Sequence, residues 1–382
     1  METQQIIQSI EVNLENYLDF LCDICAFEAT ATETKVINCM IDYIANFAQD
    51  HGLQTTRTVI PNCGDFLAVD LNSGAEKSCV FLAHTDTVHK KGSFGPQAVT
   101  RMDDRIVAPG VIDCKAGIAI ALLVMQALKE NGYRHHVRLL LTSDEEVDNV
   151  LGGQEEIKYI KENCAGFQWA INCETSEKDE VVVSRKGVLH YYIDIKGFGG
   201  HSGIHYFQCK NAIEEAAHKI LALHGESQPG GITYSCNIIQ GGAVLNVIPD
   251  SCRIAVDVRV PHLCDMEKVA RVVEKISRTS YVGETTATLT LVSTRPPMEK
   301  TPETMALFEK MRNVCQAYGL GDLTPVESGG GSDSCYTQAA GVTSLCGMGG
   351  CGRFCHTTNE YLHIPSVGNR AKIIALFLKD NE

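Results

Sequence analysis

The 382-residue sequence has little positive charge: 33 lysines and arginines stand against 47 aspartates and glutamates, and the formal net charge is −14. The basic residues form no tract along the chain. Because polyanions bind clustered lysine and arginine side chains, we expect neither a nucleic acid nor an anionic membrane surface as a partner. An acidic chain is, by contrast, suited to binding metal cations.

Long apolar runs are also missing. The longest helix-like run, Gly117–Leu128, is shorter than the roughly 20 residues that span a bilayer. The N-terminal segment has neither a basic nor an apolar region, so no signal peptide is expected. The 17 cysteines are scattered without a regular framework. We therefore interpret them as reduced thiols of a cytoplasmic protein, most of them small core residues.

Motifs for three other classes of protein are weak or absent. A non-catalytic metal-storage or thiol-redox protein would need paired thiols, but the CxxC at Cys22–Cys25 lies in a segment with helical apolar spacing, which favours core packing. The CGRFCH segment, Cys351–His356, is one residue too long for c-type haem attachment. Gly197–Gly203 lacks both the spacing and the strand-helix context of a dinucleotide-binding G-x-G-x-x-G motif.

What the sequence does contain is a recurring pattern, an apolar strand whose C-terminal end carries a histidine or an acid. His84 and Asp86 follow CVFLA, Glu145 and Glu146 follow HVRLLLT, and Glu174 follows WAINC. Ligands of open α/β sheets bind outside the carboxyl ends of the strands. Three strands are therefore predicted to present these side chains at one sheet edge.

Two further donors complete the set. Asp113 lies between Gly110 and a predicted helix, and His356 lies near the end of the chain. Oxygen and imidazole donors without thiolates are typical of catalytic zinc, manganese or cobalt sites. Five ligands with one bridging carboxylate would hold two metals, an arrangement used to activate water. Since the side chains of Glu145 and Glu146 diverge, one can bind metal while the other acts as general base.

The pattern of elements changes after residue 184. The order β-α-β-β-α-β over residues 185–297 is that of a ferredoxin-like split unit, and Arg295-Pro296-Pro297 closes it. We therefore predict an α/β protein in which this unit is inserted between two parts of a catalytic domain, residues 1–184 and 298–382. The predicted elements of the insert are strand Gly187–Gly197, helix Cys209–Leu223, strands Ile232–Gly241 and Ser251–Val260, helix Asp265–Thr279 and strand Thr285–Ser293.

Eight motifs occur in the order found in one known family: HTDTVHKKG, PGVIDCKAG, TSDEE, NCETS, GFGGHSG, NVIPDSCRIAVDVR, SGGGSDS and CHTTNEY. Over nearly the whole chain the sequence resembles the M20 metallopeptidases, most closely the glutamate carboxypeptidases of the carboxypeptidase G2 type. Peptidase T and the acetylornithine deacetylases are related groups. The resemblance implies a zinc-peptidase-like catalytic domain with a mixed sheet, an inserted lid and dimerisation domain, and a homodimer.

The resemblance also implies roles for the metal site. Asp113 would bridge two divalent ions, most readily Zn²⁺, with Co²⁺ and Mn²⁺ as alternatives. His84 and Glu174 would bind one ion, and Glu146 and His356 the other. Asp86 would orient His84.

Catalytic and substrate-binding roles follow from the same resemblance. Glu145 would take a proton from the attacking water and pass it to the leaving amine. His201 of the insert would reach the partner subunit's site and stabilise the oxyanion. Asn246 and Arg259 match positions that hold the substrate's carboxylate, beside the backbone N–H groups of Gly330 and Gly331.

The expected substrate is a short peptide or N-acyl amino acid, cleaved at the amide bond next to a free C-terminal carboxylate. A tripeptide aminopeptidase of the peptidase T type and an amino-acid deacylase remain alternatives, because all three recognise a free carboxylate.

Two positions depart from the family or invite another interpretation. Cys114 follows Asp113 where the family commonly has an acid or methionine, and we expect a buried, inert thiol. His205 is interpreted as a loop residue and not as a second metal ligand beside His201.

Overall fold

The computed structural model describes residues 2–177 and 179–382. The chain divides into two compact units. The first unit comprises Met1–Ser184, Lys300–Glu327 and Ser332–Glu382, and the second comprises Arg185–Glu299 and Ser328–Gly331. The glycine turn therefore packs with the second unit, although the sequence assigns it to the last part of the catalytic domain.

The described residues contain nine α-helices and 18 strands. The helices are α1 Thr3–Cys25, α2 Thr34–Asp50, α3 Ala116–Glu130, α4 Gly153–Cys164, α5 Ala212–Gly225, α6 Asp265–Arg278, α7 Pro302–Tyr318, α8 Ser334–Ala339 and α9 Pro365–Asp380. The strands are β1 Gln54–Thr58, β2 Phe66–Leu71, β3 Lys77–His84, β4 Thr100–Arg101, β5 Arg105–Val107, β6 His136–Thr142, β7 Trp169–Asn172, β8 Glu180–Arg185, β9 Gly187–Lys196, β10 Gly200–His201, β11 Thr233–Gly241, β12 Val247–Ile248, β13 Ser251–Val260, β14 Thr286–Arg295, β15 Thr324–Ser328, β16 Thr343–Leu345, β17 Gly352–Arg353 and β18 Tyr361–His363.

The main sheet of the first unit is mixed, with strand order β1-β2-β6-β3-β7-β16. β3 runs parallel to both β6 and β7, whereas β6 pairs antiparallel with β2 on its other side. β6, which precedes Glu145 and Glu146, therefore has a parallel neighbour on one side and an antiparallel neighbour on the other. This mixed α/β architecture agrees with the predicted fold class for the first unit.

Helix α3 forms the centre of the first unit's core. Its residues from Ala116 to Val124 are completely buried, and α1 and α9 pack against it. Together with the preceding turn, the segment Val111–Glu130 is long and apolar enough to cross a membrane, so the expectation from Gly117–Leu128 that the run is too short was wrong; 94% of the apolar window is, however, buried inside the protein. Burial of this kind is the normal state of a core helix, because its apolar surface is already removed from water.

A small sheet of the first unit, with order β17-β18-β5-β4, joins two parts of the chain that are far apart in sequence. β18 pairs antiparallel with both β5 and β17. β5 precedes Asp113 by a few residues, and His356 lies in the connection between β17 and β18. These pairings bring together Asp113 and His356, two predicted metal ligands that are far apart in the sequence.

The second unit has an antiparallel sheet with order β11-β13-β9-β14. Helices α5 and α6 cover one face and share an apolar core with it. This strand order is the one that a split β-α-β unit produces. α5 begins at Ala212, three residues after the predicted start, because Asn211 accepts hydrogen bonds from the backbone N–H groups of Ile213 and Glu214 and so forms an N-cap.

Candidate metal centre

The three strands that carry the predicted ligands end at the same edge of the main sheet. His84 lies in register with Thr142, and Leu82 lies in register with Asn172. The residues that follow Thr142 and Asn172 therefore reach the level of His84. This register confirms the shared edge that the sequence predicts.

Asp113 lies at the centre of the arrangement, and its two carboxylate oxygens face different histidines. Oδ1 is 3.2 Å from His84 Nε2, and Oδ2 is 3.0 Å from His356 Nε2. The turn that carries Asp113 begins after Gly110, which has a φ of 67°. A Cβ at Gly110 would lie 2.3 Å from Thr87 Cγ2, so glycine is needed here for both conformation and space.

Two glutamates complete the set, one beside each histidine. Glu174 Oε1 lies 3.7 Å from His84 Nε2, and Glu146 Oε2 lies 3.3 Å from His356 Nε2. His84, Asp113 and Glu146 also form one group whose ligand atoms are all within 4.8 Å of one another. The structure thus brings the five predicted ligands together as two overlapping groups that share Asp113.

Asp86 fixes the ring of His84. The Nδ1 atom of His84 lies 3.0 Å from the backbone oxygen of Asp86 and 3.4 Å from its Oδ1. Nδ1 is therefore the protonated nitrogen, and Nε2 is left to face Asp113 and Glu174. The other carboxylate oxygen of Asp86 accepts a hydrogen bond from the backbone N–H of Glu146 at 3.0 Å, so Asp86 couples the two groups of ligands.

The electrostatics of the centre favour a cation. Burial, together with the neighbouring Asp113, raises the pKa of Glu146 to about 7, although the hydrogen bond with His356 acts in the opposite direction. Burial opposes protonation of His84, but Cys114, Asp113 and Asp86 outweigh it and raise its pKa. The pKa of His356 is raised by Asp113, Cys355 and Glu146.

The raised pKa values of Glu146, His84 and His356 reflect a buried site in which several carboxylates lie close together. A divalent cation would relieve their mutual repulsion. The carboxylate and imidazole donors are also those that zinc, cobalt and manganese accept. The residues present therefore fit a pair of divalent ions.

A buried pair supports the turn of Asp113. The side chain of Glu360 is completely buried, and its Oε1 accepts hydrogen bonds from the backbone N–H groups of Ile112 at 2.9 Å and Asp113 at 3.3 Å. Its Oε2 lies 3.0 Å from Nε2 of the buried His89. Neither residue was predicted to have a role, although His89 lies in the HTDTVHKKG motif and Glu360 in CHTTNEY.

A second buried network lies under the turn that carries Glu145. Asp144 Oδ2 accepts hydrogen bonds from the backbone N–H groups of Leu151 and Gly152, both at 3.0 Å. Burial and the hydrogen bond with Asp144 raise the pKa of Glu156 to about 11, so Glu156 is protonated and shares its proton with Asp144. The network fixes the backbone of the loop after β6. Sequence patterns did not reveal it.

The glycine-rich loop before His356 passes close to the Glu174 segment. The backbone N–H of Gly349 donates to the carbonyl of Glu174 at 2.9 Å, and a Cβ at Gly349 would lie 2.1 Å from Cys173 O. A Cβ at Gly117, on α3, would lie 2.3 Å from the same oxygen. Glycine at both positions lets the loop and helix fix the strand end that carries Glu174.

Two thiols also lie at the centre, whereas the sequence predicted only oxygen and nitrogen donors. Cys114 Sγ forms a group with His84 and Glu174, and Cys355 Sγ forms a group with Asp113 and His356. Cys114 is fully buried, as expected, and its sulfur accepts from the backbone N–H of His84 at 3.0 Å. The sequence did not indicate Cys355 as a candidate donor, because its position beside Asp113 depends on the return of the loop and not on spacing along the chain.

In the second unit, His201 and Asn246 are neighbours. His201 pairs with Val247 between β10 and β12, and the carbonyl of Asn246 accepts hydrogen bonds from the backbone and side chain of Ser202. His201 is exposed, and its Nδ1 accepts from the backbone N–H of Gly203 at 3.2 Å. His205 contributes no ligand atom to any candidate metal group among the described residues.

Arg259 lies on β13 and is held by a carboxylate. Its Nε and Nη2 atoms donate to the two oxygens of Asp257, both at 2.7 Å. An arginine has five N–H donors, so this pairing orients the guanidinium and uses two of them. In the glycine turn, the carbonyl of Gly331 accepts a hydrogen bond from Arg185 Nη1 at 3.0 Å, while Gly330 is exposed.

Comparison with known proteins identifies the family of the chain. The chain matches the family described as Peptidase family M20/M25/M40 over residues 80–380. The protein therefore belongs to the M20 peptidase family and is a metallopeptidase-type hydrolase. Members of this family generally bind two divalent metals.

Individual relatives are distant. Carboxypeptidase G2 from Pseudomonas sp. is 23% identical over 323 residues, covering 83% of this chain and 77% of that protein. Succinyl-diaminopimelate desuccinylase from Rickettsia felis is 26% identical over 281 residues, covering 68% and 73%. The crystal structure of aminopeptidase PepT from Bacillus cereus has the same fold, with a TM-score of 0.79, 18% identity and coverage of 96% and 98%.

Proposed function

We propose that the protein is a two-metal exopeptidase or amidohydrolase that cleaves the amide bond next to a free C-terminal carboxylate in a short peptide or N-acyl amino acid. The observation that carries this proposal is the position of Asp113 between His84 and His356, with one carboxylate oxygen toward each ring. A carboxylate in this position is suited to bridging two cations about 3.5–4 Å apart.

In this proposal His84 and Glu174 would hold one ion, His356 and Glu146 would hold the other, and Asp113 would contribute to both. Divalent ions, Zn²⁺ above all and Co²⁺ or Mn²⁺ as alternatives, supply Lewis-acid polarisation and water with a lowered pKa. Asp86 keeps His84 in the tautomer that leaves Nε2 available.

Glu145 is the proposed general base. It is buried and lies in the turn after β6. Its neighbours in the chain are Asp144, which accepts a hydrogen bond from the backbone of the next turn, and the proposed ligand Glu146. It takes one proton from the attacking water as the new C–O bond forms. It then returns that proton to the leaving nitrogen as the C–N bond breaks, so the base is regenerated.

Substrate recognition is assigned to the second unit. We propose that Arg259 and Asn246, with the backbone N–H groups of Gly330 and Gly331, hold the substrate's carboxylate, and that His201 stabilises the oxyanion. An arginine fork suits a carboxylate, and Asp257 already orients the fork of Arg259.

We further propose that the protein is a homodimer formed through the second unit, with His201 acting in the partner's site. Apolar side chains are unusually exposed around His201, since Phe207 is 91% and Leu245 105% exposed. The edge strand β11 also exposes Ile238 and Ile239. Contact between two copies would remove this surface from water.

A cytoplasmic location is proposed from the cysteines. None of the 17 forms a disulfide, which agrees with a reducing compartment.

Amino-acid deacylation is a second candidate activity, favoured by the 26% identity with succinyl-diaminopimelate desuccinylase. A panel of dipeptides, tripeptides and N-acyl amino acids would distinguish it from peptide cleavage. Preference for acyl groups that lack an α-amine would favour the deacylase, and release of a C-terminal residue from dipeptides would favour the carboxypeptidase. A strict need for a tripeptide with a free α-amine would instead favour an aminopeptidase of the peptidase T type.

Glu145→Gln tests the proposed mechanism. The zinc-loaded variant is expected to lose turnover on every substrate of the panel while it retains about two ions per chain, because a general base is not a ligand. Loss of both activity and metal would reassign Glu145 as a ligand. Full activity in the variant, or wild-type hydrolysis that survives removal of metal by a chelator, would overturn the mechanism.

A further inference from the structure

The sulfur of Cys355 points at the carboxylate at the centre of the site. Cys355 Sγ lies 2.8 Å from Asp113 Oδ2, and His356 Nε2 lies 3.0 Å from the same oxygen. Glu146 Oε2 is 3.3 Å from that histidine nitrogen. Sulfur, nitrogen and carboxylate oxygens thus surround one position.

The loop is shaped so that two consecutive side chains reach this position. Phe354 and His356 both have a φ of 63°, a conformation that residues other than glycine seldom adopt. Immediately before them, β17 is anchored by its pairing with β18, where Gly352 lies opposite Leu362. The bend brings both Cys355 and His356 back toward Asp113.

Cys114, the other thiol of the centre, is engaged differently. Its sulfur lies 3.0 Å from the backbone nitrogen of His84 and 3.7 Å from the backbone oxygen of the same residue. Both contacts are with the main chain, which secures Cys114 in the core. Cys355, by contrast, is only partly buried, and its sulfur lies against the carboxylate of Asp113.

We propose that Cys355 is a thiolate ligand of the ion held by His356, Glu146 and Asp113. This inference rests on the two-metal function proposed above and deepens it. The S–H bond breaks as the bond from sulfur to the ion forms, and the proton leaves to solvent beside the His356 side chain, which is 52% exposed.

A sulfur ligand would make the two positions chemically unequal. At the position of His84 and Glu174 the neighbouring sulfur, that of Cys114, is engaged with the main chain of His84, whereas the position of His356 would have Cys355 as a soft donor. Soft thiolates favour zinc over manganese and magnesium. We therefore expect the His356 position to retain zinc or cadmium in competition with manganese.

Cobalt spectroscopy of the whole protein tests the proposal. Wild-type protein loaded with Co²⁺ is expected to show a thiolate-to-cobalt charge-transfer band in the near ultraviolet. Cys355→Ser should lose the band and bind cobalt at this position ~10- to 100-fold more weakly, since loss of even a residue that supports a ligand costs that much. The control variant Cys114→Ala should keep the band.

Each other outcome would count against the proposal. A wild-type protein that binds two cobalt ions without the band, or a Cys355→Ser variant that keeps it, would overturn the thiolate ligand but leave the two-metal function intact. Loss of the band only in Cys114→Ala would assign the ligand to Cys114. Failure of the wild type to bind cobalt at all would refute the two-metal function and this inference with it.

Thiol alkylation gives a second test that needs no variant. Zinc is expected to protect Cys355 from iodoacetamide, as measured by mass spectrometry of peptides. The exposed Cys39 and Cys264 are internal controls that should react equally with and without zinc. Equal labelling of Cys355 in both conditions would contradict coordination by its sulfur.

Discussion

The buried carboxylate of Glu360 accepts a hydrogen bond from His89, with 3.0 Å between Oε2 and Nε2. Its other oxygen accepts from the backbone N–H groups of Ile112 and Asp113. One carboxylate therefore ties the turn after β3 to the turn that presents the central ligand. Supporting contacts of this kind set the orientation of metal ligands and their affinity.

Glu360→Ala is expected to lower metal affinity ~10- to 100-fold, the usual cost of losing a support for a ligand. It should also lower the melting temperature, because two buried N–H donors lose their acceptor. Glu360→Gln keeps one acceptor oxygen, so its metal affinity and melting temperature should lie between those of Glu360→Ala and those of the wild type. Competition with a chromophoric chelator measures the affinity, and an unchanged value for Glu360→Ala would remove this role.

The raised pKa of Glu156 predicts how stability depends on pH. Its pKa of about 11 in the folded protein lies well above the value of about 4.3 expected in the unfolded chain. Between these values the folded state binds a proton that the unfolded state does not. The contribution of Glu156 to folding stability therefore falls as pH rises from about 5 to 10, by at most ~1.4 kcal/mol per pH unit.

Glu156→Gln removes the titrating group and keeps a buried amide of similar shape. The free energy of unfolding of this variant should fall less steeply with pH than that of the wild type, as measured by urea denaturation at several pH values. Glu155→Gln, the same substitution at an exposed neighbour, is the control and should follow the wild type. Parallel slopes for wild type and Glu156→Gln would contradict the shared proton.

His201→Ala should strongly reduce hydrolysis without reducing metal content, because His201 is proposed to act in the partner's site. Mixing inactive His201→Ala with inactive Glu145→Gln should restore part of the activity, since a mixed dimer contains one site with both residues intact. His205→Ala, four residues away, should behave as the wild type. An inactive mixture in which mixed dimers are demonstrated would argue against sharing between subunits.

Arg259→Ala should raise KM ~10- to 100-fold for substrates with a free α-carboxylate, the range expected for hydrogen bonds to a charged group. Amidated analogues should be hydrolysed no worse than by the wild type. Arg253→Ala is the matched control, since Arg253 lies on the same strand and is paired with Asp194 at 2.6 Å. An equal loss on free and amidated substrates would refute the role of Arg259.

The ligands that follow strands could be predicted from the sequence, because the carboxyl ends of neighbouring parallel strands lie at the same edge of a sheet. Once β3, β6 and β7 were recognised, His84, Glu146 and Glu174 had to approach one edge. Asp113 and His356 lie on turns, so periodicity could not place them at this edge; they were candidate donors from the sequence, and their assignment to the two ions came from the resemblance to the family.

The supporting residues could not be found in this way. His89 and Glu360 are separated by 271 positions, and no local pattern indicates that they touch. Glu156 lies on a helix where an acid is ordinarily exposed, and only the packing of the turn below β6 reveals its burial. Cys355 was discounted because its spacing from Cys351 fits no known motif, whereas the bend at Phe354 and His356 decides where its sulfur lies.

The central claim is that Asp113 joins two cation positions, and metal content per chain tests it most directly. Wild-type protein dialysed against zinc and then against metal-free buffer should retain about two ions by mass spectrometry. Asp113→Asn should retain fewer than one, because both positions lose a charged ligand, while the exposed control Asp103→Asn should match the wild type. Two ions retained by Asp113→Asn, or none bound by the wild type, would contradict the account.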